Sequence, residues 1–176
     1  SPIAGNSGLA AQLGDSIAAI LPNAALYMDE MAALLNELPV ALNRFGQLAS
    51  SPHLEAPHEQ AINLKLQGLL PLISAARLFC LRYGLRHIAT RERLIALSHT
   101  EDGHKVDALT SAESALLIAA FERLQQLLLD QQRYNRARGQ AADAWVDLRR
   151  LREDERLLLK FDLQQIRAFV QRAKSG

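Results

Sequence analysis

The sequence predicts an all-α protein, an antiparallel bundle of about six to seven helices. Three observations predict it. Residues of the AVILMFWYC group make up 49% of the chain but aromatics only 5%, so leucine and alanine carry the apolar content. Those two residues lose little rotamer freedom in a helix, whereas strands favour β-branched and aromatic side chains. Apolar residues also recur at intervals of three and four, and the prolines and glycines fall mostly between the periodic stretches.

The elements follow in order. Asn6 or Ser7 can cap a first helix reaching about Ile20, with Leu9, Leu13, Ile17 and Ile20 on one face. Pro22 and Asn23 interrupt it. A second helix carries Tyr27, Met31, Leu34 and Leu38 and continues through Leu42 and Phe45, with a kink or break at Pro39. Ser50–Gln60, with two prolines and two histidines, reads as a loop. The most apolar helix, Leu69 to Tyr83, is entered through Gly68 and Pro71 and closed by Gly84. Thr90 caps a short helix to about His99, and Thr100–Ala108 reads as a polar surface loop. Thr110 and Glu113 have capping-box spacing. Behind them Leu117, Ala120, Phe121, Leu124, Leu127 and Leu128 form a helical stripe that ends near Arg138 and Gly139. After a loop holding Asp143 and Trp145, the last helix places Leu159, Leu163, Ile166, Phe169 and Val170 on one face. Residues 1–60 read as N-terminal helices packed on a bundle formed by 61–176, the two making one compact unit.

Charge is unevenly spread. Residues 1–60 carry a net −5, residues 61–99 a net +5, and the remainder +1. The basic middle segment meets either an anionic ligand or the acidic first third of the chain. Nucleic acid is a poor candidate, since the net charge is only +1 and basic residues are not interleaved with aromatics. No run of about 18 uncharged apolar residues is present, so no membrane span is expected. Cys80 stands alone, which suits a reducing, cytoplasmic setting, and its apolar neighbours read it as a buried small side chain.

Catalytic chemistry is not visible. Nucleotidyl transfer needs closely spaced carboxylates to clamp metal ions, and the chain has no Asp-x-Asp. Glu153 and Glu155 are two apart on a helix and diverge by about 200°, so they cannot share a metal. Histidine metalloprotease and phosphate-loop motifs are also missing. His99, Glu101, Asp102, His104 and Asp107 are close in sequence, but they read as a solvated loop and no metal site is expected. Arg77 sits within the most apolar helix, where an unpaired charge is costly. Arg82, Arg86, Arg91 and Arg93 surround it in sequence, and guanidinium forks suit phosphates and carboxylates. Gln131, Gln132, Arg133 and Tyr134 could line a polar pocket, although a solvated helix end is the plainer reading, and Trp145 reads as a packing residue.

The order Asn63-Leu64-Lys65, Gly68-Leu69-Leu70-Pro71, Ala76-Arg77 and Gly84-Leu85-Arg86 resembles a known family. The likeness continues through Thr90, Arg93-Leu94, Leu97, Leu109-Thr110, Glu113, Ala120-Phe121 and Leu124. Beyond these come Gln131, Gly139, Asp143, Asp147 and Leu158-Leu159-Lys160. The chain is similar to the nucleotidyltransferase substrate-binding domain found at the C-terminus of bacterial signalling proteins with CBS or cyclic-nucleotide-binding modules. It departs from the family pattern at Asp130, at Leu148 where proline is common, and in lacking a serine cap near Leu151.

The resemblance implies a non-catalytic helical domain beside a uridylyltransferase-like catalytic domain, positioning the acceptor substrate or relaying the state of regulatory domains. Magnesium and a nucleoside triphosphate are then expected only in that upstream domain, and no cofactor here. The opening Ser1-Pro2-Ile3-Ala4-Gly5 resembles the chain leaving the last catalytic strand, so a fragment of a longer protein is expected. Expected partners are the upstream catalytic and regulatory domains and a protein or small-molecule acceptor, with a second copy of the chain a further candidate. Lys65, Arg77, Arg86, Arg93 and Lys160 are the candidate substrate or anion contacts. The alternative is a bundle that only docks or dimerises and binds no small molecule.

Overall fold

The computed structural model describes residues 25–50, 60–101, 104–106 and 108–175. The first expected helix and most of the 50–60 loop lie outside these residues. Five α-helices are described, which is fewer than six to seven: α1 (residues 25–37), α2 (Leu70–Arg82), α3 (Thr90–Ala96), α4 (Ser111–Ala137) and α5 (Glu153–Ser175). Two pairs of very short strands, which periodicity did not foresee, complete the fold. They are β1 (Ala61–Asn63) with β4 (Trp145–Asp147), and β2 (Thr100–Glu101) with β3 (His104–Lys105), both antiparallel.

The second expected helix breaks before Pro39 and does not continue through Leu42 and Phe45. Instead the chain folds into a tight loop with a Leu42–Leu48 bridge, turned at Gly46, whose φ is +73°. A side chain there would be strained and would press within 3.2 Å of Arg167 and Gln164 on α5. Gln164 and Arg167 donate hydrogen bonds to the carbonyls of Gly46 and Asn43, tying this loop to α5. Met31, Leu35 and Ala41 carry the N-terminal part of the described chain into the core.

Between β1 and α2 the chain makes one π-helical turn, Lys65–Leu69. Asn63 and Gln67 cap it reciprocally: the Asn63 amide donates to Gln67 Oε1, and the Leu66 amide donates to Asn63 Oδ1. Pro71 then sits in the first turn of α2, where its missing donor costs little. Gly84 and Gly139, both at φ +68°, end α2 and α4 as expected. The Thr110–Glu113 capping box opens α4. Thr90 does not cap α3: Ala89 holds the cap position and Thr90 is the first helical residue. At α5, Glu155 takes over part of the absent serine's role, since its carboxylate accepts the Arg152 amide at 2.8 Å.

α5 packs against both α2 and α4, and α3 bridges α2 to α4. Near the ends of α2 and α5, Phe79 stacks on Phe169 with centroids 5.1 Å apart, and Arg82 Nη1 donates to the Ala173 carbonyl at 2.7 Å. That bond satisfies a carbonyl which the end of α5 leaves free. The C-terminal ends of α2 and α5 therefore lie together and the two run in the same sense. α4 runs against α5: Glu113 near its start meets Arg172 at 3.1 Å, and Gln131 near its end meets Arg150 just before α5. The bundle thus mixes parallel and antiparallel neighbours, because α3 and α4 intervene between α2 and α5.

Candidate functional site

The β1–β4 pair builds one end of the bundle. Ala61, Ile62 and Asn63 oppose Asp147, Val146 and Trp145, and the pairing is prolonged by Leu64 N–H to Ala144 and Leu148 N–H to Gln60. Ile62 and Val146 are fully buried, so hydrophobic burial fixes the strand pair against the core. The outward neighbours of Val146, Trp145 and Asp147, are thereby set beside the C-terminal turns of α4.

Between these elements lies a cavity of about 400 Å³ lined by polar and aromatic side chains. That size falls within the usual range for small-molecule sites, about 300–1,000 Å³. Gln131 and Asn135 belong to its wall, and both are buried. They continue the register of the apolar stripe of α4, where Leu117, Ala120 and Leu124 precede them. Gln131 Nε2 donates to Asn135 Oδ1 at 2.8 Å, and Arg150 Nη1 donates to Gln131 Oε1 at 3.0 Å. Asn135 Nδ2 in turn donates to the Ala141 carbonyl at 3.2 Å. Asp143 Oδ1 accepts the Trp145 amide at 3.1 Å, and the Asp143 carbonyl accepts from Gln132. The solvated helix end expected of Gln131 and Tyr134 is therefore replaced by a hydrogen-bonded wall, because residues 141–150 fold back over it.

Three arginines border the cavity. Arg149 is engaged by Asp147, with Nε to Oδ1 at 3.0 Å and Nη2 to Oδ2 at 2.9 Å. These hydrogen bonds hold the Asp147 carboxyl below the usual carboxylate range, helped by the Arg149 amide and by the nearby positive charges of Arg149 and Arg150. Arg150 and Arg138 both rest over the Tyr134 ring, with their Cζ atoms 3.1 and 4.4 Å from its centroid.

The five residues singled out from sequence do not converge. Lys65 is exposed on the π turn and Arg86 is exposed beyond α2. Arg77 is exposed rather than buried with an acidic partner, and lies over the Tyr27 ring at 5.5 Å. Arg93 Nε donates to the His87 carbonyl, closing the approach to α3. Lys160 reaches Gln47 at 3.4 Å beside a shallow cavity shared with Glu153 and Arg156. Among the described residues, no ion pair joins the basic 61–99 segment to the acidic one, and Arg91 meets Glu122 instead. No group of three His, Cys, Asp or Glu among the described residues could hold a metal. Asp102 and Asp107 lie outside those residues. Cys80 is buried in the core.

The fold and cavity define a helical domain with a pocket of ligand size at one end of the bundle. The chain belongs to the family described as "Putative nucleotidyltransferase substrate binding domain", whose model matches residues 25–176. No curated protein and no solved structure matches it. No helix among the described residues is long and apolar enough to cross a membrane.

Sequence reasoning passed over Asn135, Arg138 and Arg150 and undervalued Gln131. The signal was present for two of them: Gln131 and Asn135 follow Leu117 and Leu124 in steps of three and four that keep both on the buried face of α4. Polar side chains standing in a buried register need polar partners, and that points to a built polar site.

Proposed function

We propose that this domain holds the acceptor molecule for nucleotidyl transfer carried out by a uridylyltransferase-like catalytic domain, and supplies no chemistry itself. Magnesium and the nucleoside triphosphate belong to that catalytic domain, while this chain contributes recognition and orientation, which lower the barrier by positioning. The observation that carries this reading is the cavity at the end of α4, with buried Gln131 and Asn135 in its wall. Family membership supports it from the other side. The cavity also takes in β4, which reaches the core through Val146. A regulatory domain that displaced β4 would reshape the site, and this is the route we propose for relaying the state of CBS or cyclic-nucleotide-binding modules.

The test is a kinetic one, in the protein that joins this domain to its catalytic unit. Asn135→Ala should raise the acceptor KM at least about tenfold, leaving the nucleoside triphosphate KM and kcat near their starting values. An acceptor KM unchanged in a folded variant would refute the assignment. A docking bundle is the second reading. It is favoured by Leu129 on α4 and by Leu157, Leu158 and Phe161 on α5, all 40–55% exposed.

A further inference from the structure

Resting on that reading, we infer that the cavity takes an oxyanion: Arg138 and Arg150 receive a phosphate or carboxylate group carried by a small organic ligand. Both guanidiniums lie over one ring, that of Tyr134, so they stand no farther apart than the sum of 3.1 and 4.4 Å. Both side chains are exposed, yet each rests over this same ring at the rim of the cavity. The ring face offers attraction to each cation but no acceptor for the in-plane N–H groups.

No carboxylate among the described residues forms a direct ion pair with either arginine, although Arg150 is near enough to Asp147 to help hold its carboxyl below the usual range. Among the described residues no carboxylate oxygen lies within 4.0 Å of a guanidinium nitrogen of Arg138 or Arg150. Asp147 is taken up by Arg149, and Asp143 accepts the Trp145 amide. Arg150 spends one donor on a neutral acceptor, Gln131 Oε1. Arg138 donates no side-chain hydrogen bond among the described residues. Two guanidinium forks with donors to spare, facing a cavity of about 400 Å³, match the bidentate geometry of phosphate and carboxylate oxygens. The arginines of the 77–93 segment, by contrast, do not line this cavity.

Trp145 is the sole tryptophan and lines the cavity, so its emission reports on occupancy. The chain is titrated with inorganic phosphate and separately with citrate, ionic strength being held constant with chloride. A saturable change in Trp145 emission with at least one anion is expected. Arg138→Gln/Arg150→Gln should weaken it at least tenfold, and Arg77→Gln/Arg86→Gln should leave it unchanged. Phosphate acting alone assigns a phosphate ester, and citrate acting alone a carboxylate. The Nε–Hε resonances of the two arginines read the same event directly if the indole is insensitive. An anion response that survives the Arg138/Arg150 double substitution would overturn the inference, as would no response beyond chloride by either readout. Saturable binding of a neutral sugar or an amino sugar with no anion response would also overturn it, yet leave the acceptor-holding role standing. Failure of that role shows separately, as an unchanged acceptor KM in Asn135→Ala.

Discussion

The Glu113 carboxylate accepts hydrogen bonds from the amide and the hydroxyl of Thr110, at 2.8 and 2.9 Å, and pairs with Arg172 of α5. One side chain thus caps α4 and ties it to the last turns of α5. The Thr110 amide bond is the main cause that holds its carboxyl below the ordinary value, with burial opposing and Arg172 assisting. A depressed folded pKa contributes stability that is present above the unfolded value, about 4.3, and is lost as pH falls through the folded one. Replacing Glu113 by Ala should cost about 1 kcal/mol at pH 7, the usual worth of a cap. The gap between the two melting temperatures should narrow as the pH is lowered from 5 to 3. A gap that stays constant over that range would show that the carboxylate's charge is not what stabilises the cap. Single residues of this kind were legible in advance, since Thr110 and Glu113 announce themselves by spacing alone.

Among the elements, the π-helical turn at Lys65–Leu69 packs closely against both α4 and α5 at Gly68. A Cβ built on Gly68 would come within 2.8 Å of Leu124 Cδ2 on α4 and 3.4 Å of Leu163 Cδ2 on α5. Leu124 and Leu163 are themselves buried and have little room to move. Gly68→Ala should therefore destabilise the protein by about 1–3 kcal/mol through overpacking, measured by urea unfolding. An unchanged midpoint would mean that the three elements are not in close contact. The sequence showed Gly68 as a way into α2, but the reason lies in α4 and α5, which no local pattern can reveal. Helices with long stripes, such as α4, were legible because many residues repeat one register. β1 and β4 were not, since three residues apiece are too few to display alternation and the pairing joins distant parts of the chain. The break before Pro39 was foreseen as one of two outcomes.

For the molecule as a whole, the strand pair decides where the site is. With residues 141–150 read as an open loop, the polar turns of α4 face water and the arginines of residues 77–93 are the more attractive candidates. Once β4 pairs with β1, Trp145, Asp147 and Arg150 are brought against Gln131, Tyr134 and Asn135, and the cavity forms at the opposite end of α4 from its cap. Charge counting along the chain had pointed elsewhere because a net +5 segment is conspicuous even when its members face different directions. Family membership supports a ligand-holding domain, and the cavity is where we propose the ligand sits. The most direct measurement of that claim is a map of backbone amide resonances in the chain during titration with phosphate, citrate and an amino sugar. Shifts concentrated at residues 131–150 and 61–63, saturating with one probe, are the result expected. Shifts centred instead on Lys65, Arg77, Arg86 and Arg93, or no saturable shift with any probe, would contradict the placement of the ligand at the end of α4.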